Sequence, residues 1–257
     1  MSFAAIMAAA IPADDGFTAV IPENWMQGRT AYGGLSAALA FEGARRAGPD
    51  LPPLRSAQVS FVGPLAGLVT VSARMLRRGR NAAWVAAEVR GEHGMGLAAT
   101  FVFMGPIESE LTLDDSPPPA GLIPLADASP VTLVGAPIFI GNLEIRSALP
   151  EPEIPAPEVA FWVRFIDRSM LDPMVEVMLI ADAAPPAVMP LRRKGPVSSM
   201  TWLVNLLTGA PVTRDGWWLV RSVSSYARQG CSSQAMGLWN ASGAPVASGM
   251  QSMALFG

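Results

Sequence analysis

The sequence predicts an α+β protein of two similar halves, each an antiparallel sheet wrapping a long helix, with a Pro-rich linker between them. Three observations predict it. Two flanks of similar pattern lie on either side of a segment too rich in proline to propagate a helix or a central strand. Each flank contains one apolar, helix-forming stretch, and each continues with strand-like runs punctuated by glycines.

The boundaries follow from composition. Residues 1–105 form the N-terminal half, 106–157 the linker, and 158–257 the C-terminal half, each half a comfortable size for one small domain. The first helix candidate, GGLSAALAFEGARRAG, opens at Gly33 and Gly34, is almost free of β-branched residues, and places Leu35, Ala38, Leu39 and Glu42 on one face. Strand candidates follow in SAQVSFVGPLAG, LVTVSARMLRRGRNAAWVAAEV and RGEHGMGLAATFVFMG. The second helix candidate, DPMVEVMLIADAAPP, has Asp172 as N-cap, Pro173 at the first helical position and Pro185 as a stop. Its face is Val175, Met178, Leu179 and Asp182. Strands then recur in SSMTWLVNLLTG, WWLVRSVSSYARQGCSSQAMGLW and NASGAPVASGMQSMALFG. Matching Gly67 with Gly209, Gly79 with Gly230 and Gly94 with Gly243 keeps the two copies in register, with an insertion around APVTRDG in the second.

Composition excludes several function classes. Only 15% of the 257 residues are charged and 51% are hydrophobic, which excludes general disorder. No run approaches the roughly 18 apolar residues of a membrane span. The apolar start MSFAAIMAAA has no Lys or Arg before it, unlike a secretory signal, so a soluble cytoplasmic protein with no membrane partner is expected. A net charge of −3 argues against a nucleic-acid partner. The single Cys231 and single His93 leave no residues for a zinc site, a Cys–His pair or a disulfide, and no metal or cofactor is expected. A Ser-His-Asp triad would need His93, which lies in the turn-like stretch EVRGEHGMG. Trp84, Trp202 and Trp218 lie in strand patterns and read as core.

Several segments resemble one family. WMQGRTAYGGLSAALA and LRSAQVSFVGPLAG in the first half, and LIADAAP, SSMTWLV and VASGMQSMAL in the second, resemble the acyl-CoA thioesterase II family, whose chains are double hotdogs. The resemblance implies an acyl-CoA substrate, hydrolysis to free acid and CoA, and a catalytic set of an Asp ending the second helix, a Ser or Thr on the next strand and a Gln on the last. Asp182 and Gln251 match the first and last. Val197 occupies the hydroxyl position, followed by Ser198 and Ser199; Ser199 shares the strand face of Val197 and is the candidate.

The residue types suit that chemistry. Without a usable Cys or His, a carboxylate is the sensible base for a hydrolytic water, and apolar neighbours on its helix face would raise the Asp182 pKa. Gln251 alternates with Ala247, Gly249, Met253 and Leu255, a small or apolar face, and the glycine register sets Val102 as its counterpart in the first half. Glu42 mirrors Asp182 and is a rival base. Gly33 and Gly34 would offer peptide N–H groups to substrate, or serve close helix packing. Arg77, Arg78 and Arg80, or Arg192, Arg193 and Lys194, are candidates for the CoA phosphates. Two other functions stay open: a non-catalytic acyl-CoA or acyl-carrier binder, and an enoyl-CoA hydratase, whose Asp–His pair would need a His that His93 does not supply. Sheet edges and high apolar content predict a homodimer or larger homo-oligomer.

Overall fold

Alternating apolar residues put most of the regular structure of this chain into strands. Residues 82–91 show the rule: Ala83, Val85, Ala87 and Val89 are buried, and the residues between them face outward. The computed structural model describes residues 1–131, 135–191 and 195–256. The first half comprises α1 (Phe3–Ala8), β1 (Ile11–Ala13), β2 (Gly16–Ile21), the short hairpin β3 (Met26–Gln27) and β4 (Thr30–Ala31), α2 (Gly33–Arg46), β5 (Leu54–Phe61), β6 (Gly67–Arg78), β7 (Ala82–Gly91) and β8 (Gly94–Met104). The second comprises β9 (Leu143–Ser147), β10 (Glu158–Phe165), α3 (Pro173–Ile180), β11 (Val197–Leu206), β12 (Trp218–Arg228), β13 (Cys231–Asn240) and β14 (Pro245–Leu255).

The expectation of two separate sheets is corrected. One 12-stranded sheet runs in the order β1-β2-β6-β7-β8-β5-β11-β14-β13-β12-β10-β9, the second six strands mirroring the first. The halves join where β5 and β11, each the edge of its own half, pair antiparallel from Thr201 opposite Ser60 to Asn205 opposite Ser56. That pairing satisfies backbone groups which two isolated sheets would leave exposed. Each half also carries a strand before its helix, β2 and β10, that the repeat pattern did not indicate. The linker segment contributes β9, which is the last strand of the sheet and is flanked on its outer side by residues 129–131.

The helices differ from expectation in one respect. α2 is long, and its small residues let the sheet close on it: a Cβ at Gly43 would meet the Val71 side chain at 2.6 Å. α3 has only 8 residues and every residue from Met174 to Ile180 is buried. It is not the second long helix predicted, because the chain turns at Ala181, four residues before Pro185. The helices run antiparallel: the Tyr32 hydroxyl at the start of α2 donates to the carbonyl of Leu179, and Arg45 near its end pairs with Asp172, the N-cap of α3. No helix among the described residues is long and apolar enough to cross a membrane.

Candidate active site

The ends of α2 and α3 and the inner faces of β11 and β14 meet at one point. Asp182 lies in the turn just past α3, two residues beyond its last helical residue, Ile180. One carboxylate oxygen, Oδ1, accepts from Gln251 Nε2 at 3.0 Å, and the Gly34 N–H at the start of α2 also bonds the carboxylate. Burial pushes the Asp182 carboxyl up to about 7, against the lowering effect of those two hydrogen bonds. Beside it Tyr32 is fully buried and stacked on Phe139, and burial together with the negative charge of Asp182 holds its hydroxyl well above the usual tyrosine range.

Gln251 also donates to Ser199 Oγ at 2.9 Å, so its amino group spends both hydrogens on Asp182 and Ser199. Ser199 reaches that position because β11 bulges at Met200, so that Ser199 opposes Met253 while Trp202 opposes Gln251. Ser198 is exposed, and among the described residues its hydroxyl bonds the Ser199 carbonyl, weakly, at 3.5 Å. The three residues singled out in the sequence, Asp182, Gln251 and Ser199, are therefore brought together.

Asp182 and Ser199 stand at a neck between two clefts. One, of about 300 Å³, is lined by Arg29, Thr30, Gly33, Ser36, Phe61 and Ser198 among others. The other, of about 350 Å³, is lined mainly by apolar groups, including Pro137, Phe139, Ile140, Met189 and Met253. Gln27, Asp182, Val197 and Ser199 line both.

Gly33 lines the first cleft, and a Cβ there would meet Asp182 Oδ2 at 2.5 Å. A Cβ at Gly34 would meet the Leu179 carbonyl and the Tyr32 ring, both at 2.6 Å. Both glycines thus permit the close approach of α2 to the turn carrying Asp182, and the Gly34 N–H is spent on Asp182.

Other candidates lie elsewhere. Glu42 is at the far end of α2, paired with Arg45, and its carboxyl is raised chiefly by burial. Arg77 lies over Trp84 and Arg78 bonds the Asp50 carbonyl, and neither lines either cleft. Arg192, Arg193 and Lys194 fall outside the described residues. His93 is exposed in the turn between β7 and β8.

The counterpart of Gln251 is corrected from Val102 to Phe101. The inner pairs Val89 with Leu97 and Leu238 with Ala247 correspond, and the connection beyond them is one residue longer in the second half, 239–246 against 90–96. From there Gln251 matches Phe101, and Gln234, its partner on β13, matches Val85. Gln234 was missed, as were Gln27 and Arg29. Gln234 carried the same signal as Gln251, a polar residue alternating with apolar ones in SSQAMGL.

The site and fold define a two-part hotdog protein with a carboxylate, an amide and a hydroxyl between its halves. The sequence matches the acyl-CoA thioesterase N-terminal domain over residues 21–104 and the acyl-CoA thioesterase C-terminal domain over residues 113–255, and the chain belongs to that family. No curated protein matches it by sequence. Among solved structures, a conserved protein of unknown function with a hot dog fold from Alicyclobacillus acidocaldarius superposes with a TM-score of 0.86 at 18% identity, over 100% of this chain and 99% of that one. The tesB protein of Mycobacterium avium subspecies paratuberculosis gives 0.79 at 18% identity, over 99% of each chain. Acyl-CoA thioesterase II TesB2 from Mycobacterium marinum gives 0.69 at 15% identity, over 96% of this chain and 95% of that one. At these identities the likeness speaks for the fold.

Proposed function

We propose that the protein hydrolyses acyl-CoA thioesters to free acid and CoA. The observation that carries this is the convergence of Asp182, Gln251 and Ser199 at the neck between a cleft with polar walls and one with apolar walls. The acyl chain lies against Phe139, Ile140 and Met253, and the CoA arm leaves past Thr30 and Arg29. The thioester carbonyl is then at the neck.

Asp182 takes a proton from a water held beside it as the water oxygen attacks the carbonyl carbon. Collapse of the tetrahedral adduct breaks the C–S bond, and the proton passes to the departing thiolate. A carboxyl with a pKa of about 7 suits both halves of that transfer. Ser199 Oγ accepts from Gln251, which leaves its own hydrogen free for the water or the developing oxyanion. Arg29, exposed at the cleft, is the described cation best placed for a CoA phosphate. The open sheet edge at β1 suits a homo-oligomer.

The test is release of free thiol from acyl-CoAs of graded chain length, alongside direct binding. Hydrolysis of one or more of them is expected. Tight binding of acyl-CoA with no thiol released would favour a carrier or binding protein instead.

A further inference from the structure

Gln234 lines neither cleft, yet it is a long polar side chain only 2% exposed in the core of the second half. Both ends of its amide are bonded. Its Oε1 accepts from the Ala187 N–H at 2.9 Å, and its Nε2 donates to Gln251 Oε1 at 2.9 Å. A side-chain amide can sit either way round, but a peptide N–H is always a donor. Ala187 therefore fixes Gln234 with its oxygen toward the peptide and its amino group toward Gln251. Gln251 must in turn give its carbonyl to Gln234 and its amino group to Asp182 and Ser199. Turned the other way, Gln251 would set a carbonyl oxygen against a carboxylate.

The first half shows what the core does without this demand. There the two positions are Val85 and Phe101, an apolar pair in the same register. We propose that Gln234 is a positioning residue for thioester hydrolysis: anchored by the Ala187 N–H, it sets the polarity of the Gln251 amide toward Asp182 and Ser199. This rests on the function proposed above.

The test compares steady-state hydrolysis of an acyl-CoA by the wild type, Gln234→Leu, Gln234→Glu, Gln251→Ala and the double variant Gln234→Leu/Gln251→Ala, with Asp182→Asn as reference. Gln234→Leu is expected to lower kcat by about tenfold or more, with KM changed much less. The double variant is expected to be no slower than Gln251→Ala alone, because Gln234 acts through Gln251. In Gln234→Glu the new carboxyl still accepts from Ala187 but donates to Gln251 only when protonated. Its kcat relative to wild type is therefore expected to rise as pH falls.

Losses that multiply in the double variant, or a pH-independent ratio for Gln234→Glu, would overturn the proposal. Should Gln234→Leu fail to fold, the Gln234→Glu ratio decides alone: a rising ratio supports the proposal and a flat one overturns it. Wild-type kcat in Gln234→Leu with an inactive Asp182→Asn would overturn the role of Gln234 only. Full activity in Asp182→Asn would overturn the role of Asp182 as base on which it rests, and no hydrolysis by the wild type would overturn the proposed function itself.

Discussion

The Gln251 amide donates to the Asp182 carboxylate at 3.0 Å, joining the last strand to the turn that ends α3 across 69 residues of sequence. A buried carboxylate whose hydrogen bonds, among the described residues, come from the neutral donors Gln251 and Gly34 is poised to take a proton, which is what burial has done to its pKa. Asp182→Asn keeps the shape and removes the base. It should lower kcat by roughly 100-fold or more, measured as thiol release on protein whose folding is checked by circular dichroism. Turnover near that of the wild type would remove Asp182 from the chemistry.

The same pKa sets two pH dependences. Asp182 must be ionised to act, so kcat/KM should rise with pH through about 7 and level above it, and the residual activity of Asp182→Asn should lack that limb. Stability runs the other way. Between the usual carboxylate range and about 7 the folded chain holds this proton more tightly than the unfolded chain, so the contribution of Asp182 to stability falls as pH rises through that window. The difference in Tm, Asp182→Asn minus wild type, should therefore shift upward from acid to neutral pH. Thermal melts at several pH values check this, and a difference independent of pH would contradict it.

In the proposed reaction Ser199, whose Oγ accepts from Gln251, offers its hydrogen to the reacting centre and Ser198 offers none. Ser199→Ala should cost roughly 10- to 100-fold in kcat, while Ser198→Ala should leave it near wild type. Equal losses in both variants would mean that the hydroxyl is not read by position.

The inner-face alternation of β11 runs Leu206, Val204, Trp202, and carried on strictly it would bring Ser198 inward. The bulge at Met200 delivers Ser199 instead, and nothing in SSMTW announces a bulge. β5 has the same irregularity at Arg55, so the feature belongs to the repeated fold and not to one local sequence. α2 was legible because Ala, Leu and Gly are unbroken by β-branched residues over its whole length. The pairing of β5 with β11 was not, because it joins strands far apart in sequence whose own patterns are satisfied by either one sheet or two. Asp182 and Gln251 stood out as polar residues on apolar faces. Gln234 had the same mark, but its partner is a peptide N–H, which no side-chain pattern records.

Gly33 is constrained by contact, not by backbone angle. A methyl group there would stand 2.5 Å from Asp182 Oδ2 and 3.2 Å from the Phe61 ring. One of them must move, and the carboxylate borders open cleft. Gly33→Ala should therefore lower kcat by about tenfold or more while the fold survives, a displacement near 1 Å being enough. Unchanged kcat would mean that the ring yields and the carboxylate stays.

Both halves have the same strand positions, and among the described residues only the second fills them with polar groups. The positions of Ser199, Gln234 and Gln251 in the second half are held in the first by Leu54, Val85 and Phe101, all buried. Phe41 on α2 closes that end by packing on Phe101 and Phe103. Among the described residues Glu42 beside it thus has an ion pair with Arg45 and no amide or hydroxyl partner of the kind that surrounds Asp182. It also lies about 13 Å along the helix axis from Gly33, at the standard rise per residue. Glu42→Gln should leave kcat close to wild type, and active-site titration should give one site per chain. A loss in Glu42→Gln as deep as in Asp182→Asn would mean that the first half also carries a base.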